Sequence, residues 1–352
     1  MRLSEAIVEY QTFRTSQRFA KNTIRAERQA LDLLLSEVGN IQMKHLDARH
    51  GEAYVAALLS KGFKPGTVNL YRGAFRRFAA WCHTRRYLPG GNNPLGTTRN
   101  LADHAPPRRR IPVTEFPRLL EACEHPQERI IVALGLYLFL RASEVSAIDV
   151  EHVHLAEGAI LVFQPKTGRW DEMPICAELD TELRRWLTWY AQDQAPGRGA
   201  LLPHWPLVPA RTRTQMWNDG SGKNGGRPIV PRHGQMNPTS RSKQLQGKVQ
   251  KALREIGWEV TADDREGVHT LRRSGARALY ETLVAGDHEA RDEAVGMVQS
   301  MLHHKTRAQT EHYIGLEAAR EKRDKVFRGR AMFPTPADNV VDLTEKMACP
   351  AS

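Results

Sequence analysis

Residues 89–112 interrupt every pattern of regular secondary structure in this chain of 352 residues. They combine the Gly- and Pro-rich runs Pro-Gly-Gly-Asn-Asn-Pro and His-Ala-Pro-Pro with three consecutive arginines, which is typical of a basic linker. A chain of this length is expected to form two domains, each able to bury its own core. We therefore predict a first domain over residues 1–100, a linker over 101–112, a second domain over 113–328 and a tail over 329–352.

The charge balance points to a polyanionic partner. The chain has 51 Lys and Arg against 40 Asp and Glu, a net charge of +11 and a pI near 9.7. In a soluble protein this favours nucleic acid, and a basic surface without such a partner is the alternative. With 41% hydrophobic residues, the chain has no apolar run of the roughly 18 residues that cross a membrane. We predict a soluble, cytoplasmic protein without a membrane anchor.

Neither a metal site nor a secretion signal is indicated. The four cysteines are far apart and lack the spacing of a zinc site, so we predict reduced thiols, no metal and no cofactor. The N-terminus contains acidic residues and lacks a continuous apolar segment, which excludes a typical signal peptide.

Four helical patterns follow one another in the first 88 residues. We predict helices over 3–12, from 22 or 23 to Gly39, over 47–60, and after Pro65. In the last of these, the aromatic residues share a helical face with Leu and Val, so we interpret them as core rather than as platforms for stacking bases. The other face is basic and could contact DNA phosphates or only solvent; its candidate contacts are Arg72, Arg76 and Arg77.

The second half mixes helices with a small sheet, so the predicted fold class is mostly α with a small β-hairpin (α+β). An apolar helix over 129–140 should be buried, and Arg141 follows it at once. This guanidinium needs a partner, which is either Glu144 or an anionic ligand. Alternating residues between 152 and 175 predict a hairpin with Lys166 near its tip.

Residues 198–254 contain eleven Arg or Lys and one acidic residue, Asp219. We predict a basic insertion over about 198–240 that lies on DNA as a loop, followed by an amphipathic helix from about Ser242. The candidate DNA contacts of the linker and the second domain are Arg108, Arg109, Arg110, Arg211, Arg213, Lys223, Arg227, Arg241 and Lys243.

Two further patterns bring polar side chains together. In the helix that begins near Val268, His269 and Arg272 are three residues apart and can reach one point at the helix start. His304 and Tyr313 are nine residues apart, so one continuous helix would place them on opposite faces. The sequence Thr306-Arg-Ala-Gln309 is a capping-box pattern that predicts a new helix between them. Both side chains could then face one pocket.

Together these blocks resemble the tyrosine recombinases of the phage integrase type. The likeness rests on Gly135–Val145, Lys166, His269-Thr-Leu-Arg272 and Leu302-His-His304 followed by Tyr313, and it covers residues 1 to about 328. It implies a helical core-binding domain and a mixed catalytic domain that clamp around DNA. An arm-binding domain, present in many phage integrases, is not expected.

The resemblance also implies a mechanism and partners. Tyr313 would attack a phosphate of double-stranded DNA and form a 3′-phosphotyrosyl bond without metal or ATP. Four chains would assemble on paired sites, with accessory directionality or bending proteins as possible partners. The implied catalytic residues are Arg141, Lys166, His269, Arg272, His304 and Tyr313.

Three departures and two alternatives remain. The 198–240 region and the interval from Arg272 to His304 are longer than the compact family pattern, and His303 stands where the family usually has glycine. A relaxing type IB topoisomerase or a non-catalytic DNA-binding regulator of the same fold are the alternative functions.

Overall fold

The computed structural model describes residues 1–90, 93–102, 109–194, 200–211, 236–260, 266–285 and 290–316. The chain divides into two compact units, Met1–Pro107 and Arg108–Ser352. Helices make up the first unit, and the second adds small sheets to its helices, which confirms the predicted fold class. No described helix is both long enough and apolar enough to span a membrane.

The first unit contains the four predicted helices, and their ends follow the breakers in the sequence. Gly39 ends the second helix with a φ of 75°, and Pro65 is the first residue of the fourth. Phe75 and Phe78 are fully buried, as their interpretation as core residues requires. The helices are α1 (Leu3–Ser16), α2 (Lys21–Val38), α3 (Ala48–Ser60) and α4 (Pro65–Thr84).

Arg72 is buried, so its prediction as part of an exposed basic face is wrong. Its Nε donates to Thr98 Oγ1 at 2.8 Å and its Nη1 donates to Asn100 Oδ1 at 2.6 Å. These bonds hold the segment after α4 against that helix. The position follows from the helical period, because Arg72 lies four residues after Val68 and three before Phe75, both of which are buried.

The second unit is built around helix α6 (Pro126–Tyr137), which is buried on nearly all sides as predicted. The helix ends at Tyr137, earlier than predicted, and three residues outside the helix, among them the left-handed Phe139, lead to Arg141. The helices of this unit are α5 (Phe116–Glu121), α6 (Pro126–Tyr137), α7 (Ala142–Ala147), α8 (Ala177–Gln194), α9 (Leu245–Glu255), α10 (Val268–Leu283), α11 (Arg291–Met301) and α12 (Arg307–Ile314).

An antiparallel three-stranded sheet lies beside these helices and contains the predicted hairpin. Its strands are β1 (Val153–His154), β2 (Ala159–Gln164) and β3 (Arg169–Pro174). Six residue pairs join β2 and β3, from Ala159 opposite Pro174 to Gln164 opposite Arg169. Lys166 therefore lies in the turn between them, and Gly168 closes this turn with a φ of 68°.

The prediction of a loop over residues 198–240 is wrong for residues 209–211 and 236–240, which belong to β-strands. Strand β4 (Pro209–Arg211) pairs with strand β5 (Met236–Arg241) in an antiparallel ladder. The partner strands are about 25 residues apart in sequence, and neither carries an alternating apolar pattern, so local periodicity gave no signal. Arg213, Lys223 and Arg227 lie outside the described residues.

Both ends of the predicted linker pack onto their neighbouring units. Asn69 exchanges two hydrogen bonds with the backbone of Leu101, each of 2.8 Å. In the second unit, Ile111 is buried and its amide donates to Ser274 Oγ at 2.8 Å. The boundary between the units falls after Pro107, inside the predicted linker.

Helices α6 and α10 approach each other closely at two glycines. A β-carbon at Gly135 would lie 2.9 Å from Leu271 Cβ. A β-carbon at Gly275 would overlap the carbonyl oxygen of Leu136 and lie 2.8 Å from Phe139 Cδ1. The two glycines thus permit the contact that joins the helix before Arg141 to the helix that carries Arg272.

Replacement of Gly275 with alanine is expected to destabilise the protein by about 3 kcal/mol, because the added methyl group must displace backbone. Gly296 in α11 is the matched control, since a β-carbon there has open space. Gly296→Ala should stabilise by about 0.5–1 kcal/mol through its better helix propensity. Urea unfolding followed by circular dichroism measures both; equal midpoints for the two variants would contradict the close packing.

Candidate active site

The predicted break between His304 and Tyr313 is present. Helix α11 ends in a Schellman motif, in which the amides of His303 and His304 donate to the carbonyl oxygens of Ser300 and Gln299 at 2.9 and 3.1 Å. Helix α12 then begins after Thr306, whose hydroxyl accepts a hydrogen bond from the Gln309 amide.

This turn brings the two side chains together. The rings of His304 and Tyr313 meet edge to face, with their centroids 5.2 Å apart. The hydroxyl of Tyr313 is 3.4 Å from the carbonyl oxygen of His269, at the start of α10. Tyr313 is half-buried, so its hydroxyl lies at the edge of the unit rather than in its core.

Arg272 is the hub of this region. Its side chain is only 1% exposed. Nη1 donates to the carbonyl oxygen of Phe139, and Nη2 donates to that of Leu302 at 2.5 Å. Phe139 lies two residues before Arg141, and Leu302 lies two residues before His304. One guanidinium therefore fixes both segments relative to α10.

Glu144 lies between the two arginines. Its carboxylate accepts hydrogen bonds from Nη1 and the backbone amide of Arg141, at 2.5 and 2.7 Å, and it is 3.5 Å from Arg272 Nη1. Of the two partners considered for Arg141, Glu144 is thus the one present. One buried carboxylate for two guanidinium groups leaves an excess positive charge, and Arg141 remains 27% exposed. This arrangement suits an anion at the Arg141 side.

The positive charge affects the ionisation of the neighbouring groups. Burial, together with the charge of Arg141, lowers the pKa of Arg272, whereas Tyr313 and Glu144 beside it oppose this shift. The guanidinium stays protonated at neutral pH. Burial and the two arginines lower the pKa of His304 to about 4, so its imidazole is neutral at pH 7. Its Nδ1 lies 3.1 Å from the hydroxyl of Thr310.

Two of the six predicted catalytic residues lie apart from these buried contacts. His269 is the second residue of α10 and its side chain is exposed, although its backbone meets Tyr313. Lys166 is exposed in the hairpin turn. The arrangement thus joins Arg141, Arg272, His304 and Tyr313 in one contact network and places His269 at its edge.

Two residues of the site have left-handed backbone although they are not glycine. Phe139 has a φ of 54° and His303 a φ of 51°. Such a conformation costs a residue with a β-carbon about 1–2 kcal/mol. The carbonyl groups held by Arg272 belong to Phe139 itself and to the residue before His303. The glycine expected at position 303 fits this backbone, and histidine occupies it at a cost.

The basic residues predicted to contact DNA differ in what they already bind. Arg76 and Lys243 are exposed, and Arg77 is half exposed while pairing with the buried Glu27 at 2.8 Å. Arg241 pairs with Asp149 at 2.7 Å, and Arg211 lies 3.8 Å from Glu128.

Two arginines of the predicted linker contact other residues of the second unit. Arg109 lies over the ring of Trp258 and donates to the carbonyl oxygen of Glu259 at 2.5 Å. Arg110 packs against Gly315, at the end of α12. Arg108 lies outside the described residues.

Among the described residues, one group of possible metal ligands occurs. Donor atoms of Asp149, Glu151 and His152 all lie within 4.8 Å of one another. Asp149 is paired with Arg241, and His152 Nδ1 accepts a hydrogen bond from the Asp149 amide at 2.9 Å. Two of the three are therefore engaged in local contacts, and we assign no metal to them.

Comparison with known proteins identifies the family. The sequence pattern of the phage integrase family matches residues 109–320, more than half of the chain. No curated protein sequence matches.

Solved structures of low sequence identity share the fold. A lambda integrase fragment in a dimer bound to a COC′ core site is 15% identical, with a TM-score of 0.65 over 96% of this chain and 100% of that one. The Tn1549 transposon integrase in complex with a circular intermediate DNA is 12% identical, with a TM-score of 0.63 over 92% of this chain and 99% of that one.

A third structure, of a lambda integrase tetramer bound to a Holliday junction, is 16% identical, with a TM-score of 0.60 over 87% of this chain and 78% of that one. The family match covers every block from which the resemblance was drawn in the second half of the chain. The chain belongs to the phage integrase family of tyrosine recombinases.

Proposed function

We propose that this chain cleaves and rejoins DNA at specific sites through a 3′-phosphotyrosyl intermediate and exchanges strands between two sites. The observation that carries the proposal is the contact network in which Glu144 joins Arg141 to Arg272, and Tyr313 lies beside both Arg272 and His304. It combines a nucleophilic hydroxyl, an excess of positive charge and a neutral imidazole in one place. Those are the groups that phosphoryl transfer without a metal requires.

In this proposal Tyr313 attacks the scissile phosphate and the DNA leaves with a free 5′-hydroxyl. The phosphotyrosyl bond conserves the energy of the phosphodiester, so rejoining needs no ATP. Arg141 and Arg272 stabilise the charge on the nonbridging oxygens, for which planar guanidinium groups are suited. His304, neutral at pH 7, and His269 donate hydrogen bonds or accept the tyrosine proton.

The DNA contacts are proposed to come from the exposed basic residues of both units. The described candidates with exposed side chains are Arg76, Arg77, Arg109, Arg241 and Lys243, and their phosphate contacts would displace counterions. Arg72 is not among them, because its guanidinium is held by Thr98 and Asn100. By family likeness the active assembly is a tetramer on paired sites, with accessory bending proteins as further partners.

Formation of a covalent complex in EDTA tests the proposal. Target duplexes are obtained from a random-sequence library by recovering members that become attached to the full chain. A nick just beyond the cleavage position lets the short leaving fragment diffuse away, so the adduct accumulates. We expect the same adduct yield in EDTA as in magnesium, because guanidinium groups replace the metal. A strict magnesium requirement would contradict the mechanism.

Further assays with the same protein distinguish recombination from the alternative functions. Relaxation of supercoiled plasmid without any selected site would favour a topoisomerase. Binding without any adduct would favour a non-catalytic regulator. Recombinant products that appear only when two selected sites are present are the result expected of a recombinase.

Lys166 is proposed to protonate the departing 5′-oxygen from its exposed turn. Lys166→Ala should then slow cleavage by about 10²–10⁴-fold, the usual contribution of a general acid. A substrate with sulfur at the bridging 5′ position has a better leaving group that needs no proton, so on it the variant should match the parent. Arg141→Ala should stay slow on both substrates. Equal defects of Lys166→Ala on oxygen and sulfur would leave it as a phosphate contact only.

A further inference from the structure

One imidazole outside the six proposed catalytic residues faces the same cluster. Nδ1 of His303 lies 3.3 Å from Oδ2 of Asp171, and its side chain is 11% exposed. Its Nε2 is buried and neither accepts nor donates a hydrogen bond within the described part of the chain. Burial lowers the pKa of His303, and the charges that also act on it are those of Asp171, Glu144, Arg272 and Arg141. His303 thus contacts strand β3 through Asp171, and it directly follows Leu302, whose carbonyl oxygen accepts a hydrogen bond from Arg272.

Asp171 belongs to the hairpin that carries Lys166. It is the third residue of β3 and lies opposite Val162 of β2. Neighbouring side chains on a strand point to opposite faces, so Glu172 points away from the face that Asp171 shares with the buried Met173. The contact with His303 therefore joins the inner face of the hairpin to the turn that positions His304.

The backbone of His303 makes this contact informative. Position 303 has a φ of 51°, which glycine adopts without strain. The hydrogen bond that its backbone amide donates in the Schellman motif does not involve the side chain. The imidazole is therefore not required to form the turn. Its partner on β3 supplies a reason for its presence.

We propose that His303 is a positioning residue: through Asp171 it holds the β2–β3 hairpin, and with it Lys166, against the arginine pair. The inference rests on the proposed function, in which Lys166 is the general acid. It concerns the placement of that acid and not the charge stabilisation supplied by Arg141 and Arg272. A misplacement of a catalytic group by about 1 Å can cost on the order of 10²-fold in rate.

The test compares His303→Gly and Asp171→Ala with the full parent chain on the selected nicked duplex and on its 5′-bridging sulfur form. Both variants should form the adduct about 10- to 100-fold more slowly on the oxygen substrate and at nearly the parent rate on sulfur. The double variant should be no slower than either single one, because the two residues act as one contact. Glu172→Ala, on the outer face of the same strand, is the control and should match the parent.

A second measurement does not depend on cleavage. Hydrogen exchange of the full chain without DNA should be faster at residues 159–174 in both variants, while the melting temperature of His303→Gly stays at or above that of the parent. That split would support positioning, because a merely structural residue would lower the melting temperature.

Parent-like oxygen cleavage in both variants would overturn the inference, as would equal slowing on oxygen and sulfur. If the parent forms no adduct on either substrate, the proposed function fails and the inference fails with it.

Discussion

Tyr313→Phe is expected to bind the selected duplex with parent affinity and to form no covalent complex. The phenyl ring can keep its edge-to-face contact with His304, whose ring centroid is 5.2 Å away. Only the hydroxyl is lost, and its bond to the His269 carbonyl is long, at 3.4 Å. The free energy of unfolding should therefore change by less than about 1 kcal/mol. Gel shift, adduct formation on nicked duplex and urea unfolding measure the three quantities.

The matched control is Tyr280→Phe, on the buried face of α10. It removes a hydroxyl from another tyrosine of the same unit and should leave adduct formation intact. An adduct formed by Tyr313→Phe at the parent rate would show that another nucleophile attacks the DNA.

Arg272→Ala is expected to lose both stability and catalysis. Two buried carbonyl groups, those of Phe139 and Leu302, lose their donor, which should cost on the order of 2–4 kcal/mol. Loss of one group that stabilises transition-state charge should slow cleavage by about 10²–10³-fold. Arg272→Lys retains the charge but not the geometry of the fork, so it should recover only part of either loss.

Arg184→Ala is the control for Arg272→Ala. Arg184 is 58% exposed and pairs with Asp180 at 2.7 Å on the surface of α8. Its loss should leave both stability and cleavage close to those of the parent, because solvent screens an exposed ion pair. Rates are measured in single-turnover reactions at a temperature where circular dichroism shows each variant to be folded. Parent-like stability of Arg272→Ala would contradict the claim that its hydrogen bonds to Phe139 and Leu302 hold these segments in place.

Local signals predicted the parts of the fold that local chemistry determines. Gly39 and Pro65 mark helix ends because of their backbone preferences, and Thr306 starts α12 because its hydroxyl caps a free amide. The turn between His304 and Tyr313 follows from that cap. The pairing of Arg141 with Glu144 was one of two open alternatives, and the three-residue spacing is what makes it possible.

Contacts between distant segments were not predictable in this way. Arg272 binds carbonyl groups 133 and 30 residues away, which depends on how α6, α10 and α11 pack. The left-handed backbone of Phe139 could not be predicted from the residue type, because glycine is the residue that usually adopts that conformation. The contact between His303 and Asp171 likewise depends on where the hairpin lies.

The central claim is tested most directly by locating the DNA on the protein. The full chain is trapped on the nicked duplex in EDTA, the adduct is digested with nuclease and protease, and the peptides are analysed by mass spectrometry. The account predicts a nucleotide attached to Tyr313 and a free 5′-hydroxyl on the released fragment. Attachment to another residue, or a 5′-phosphate on that fragment, would contradict it.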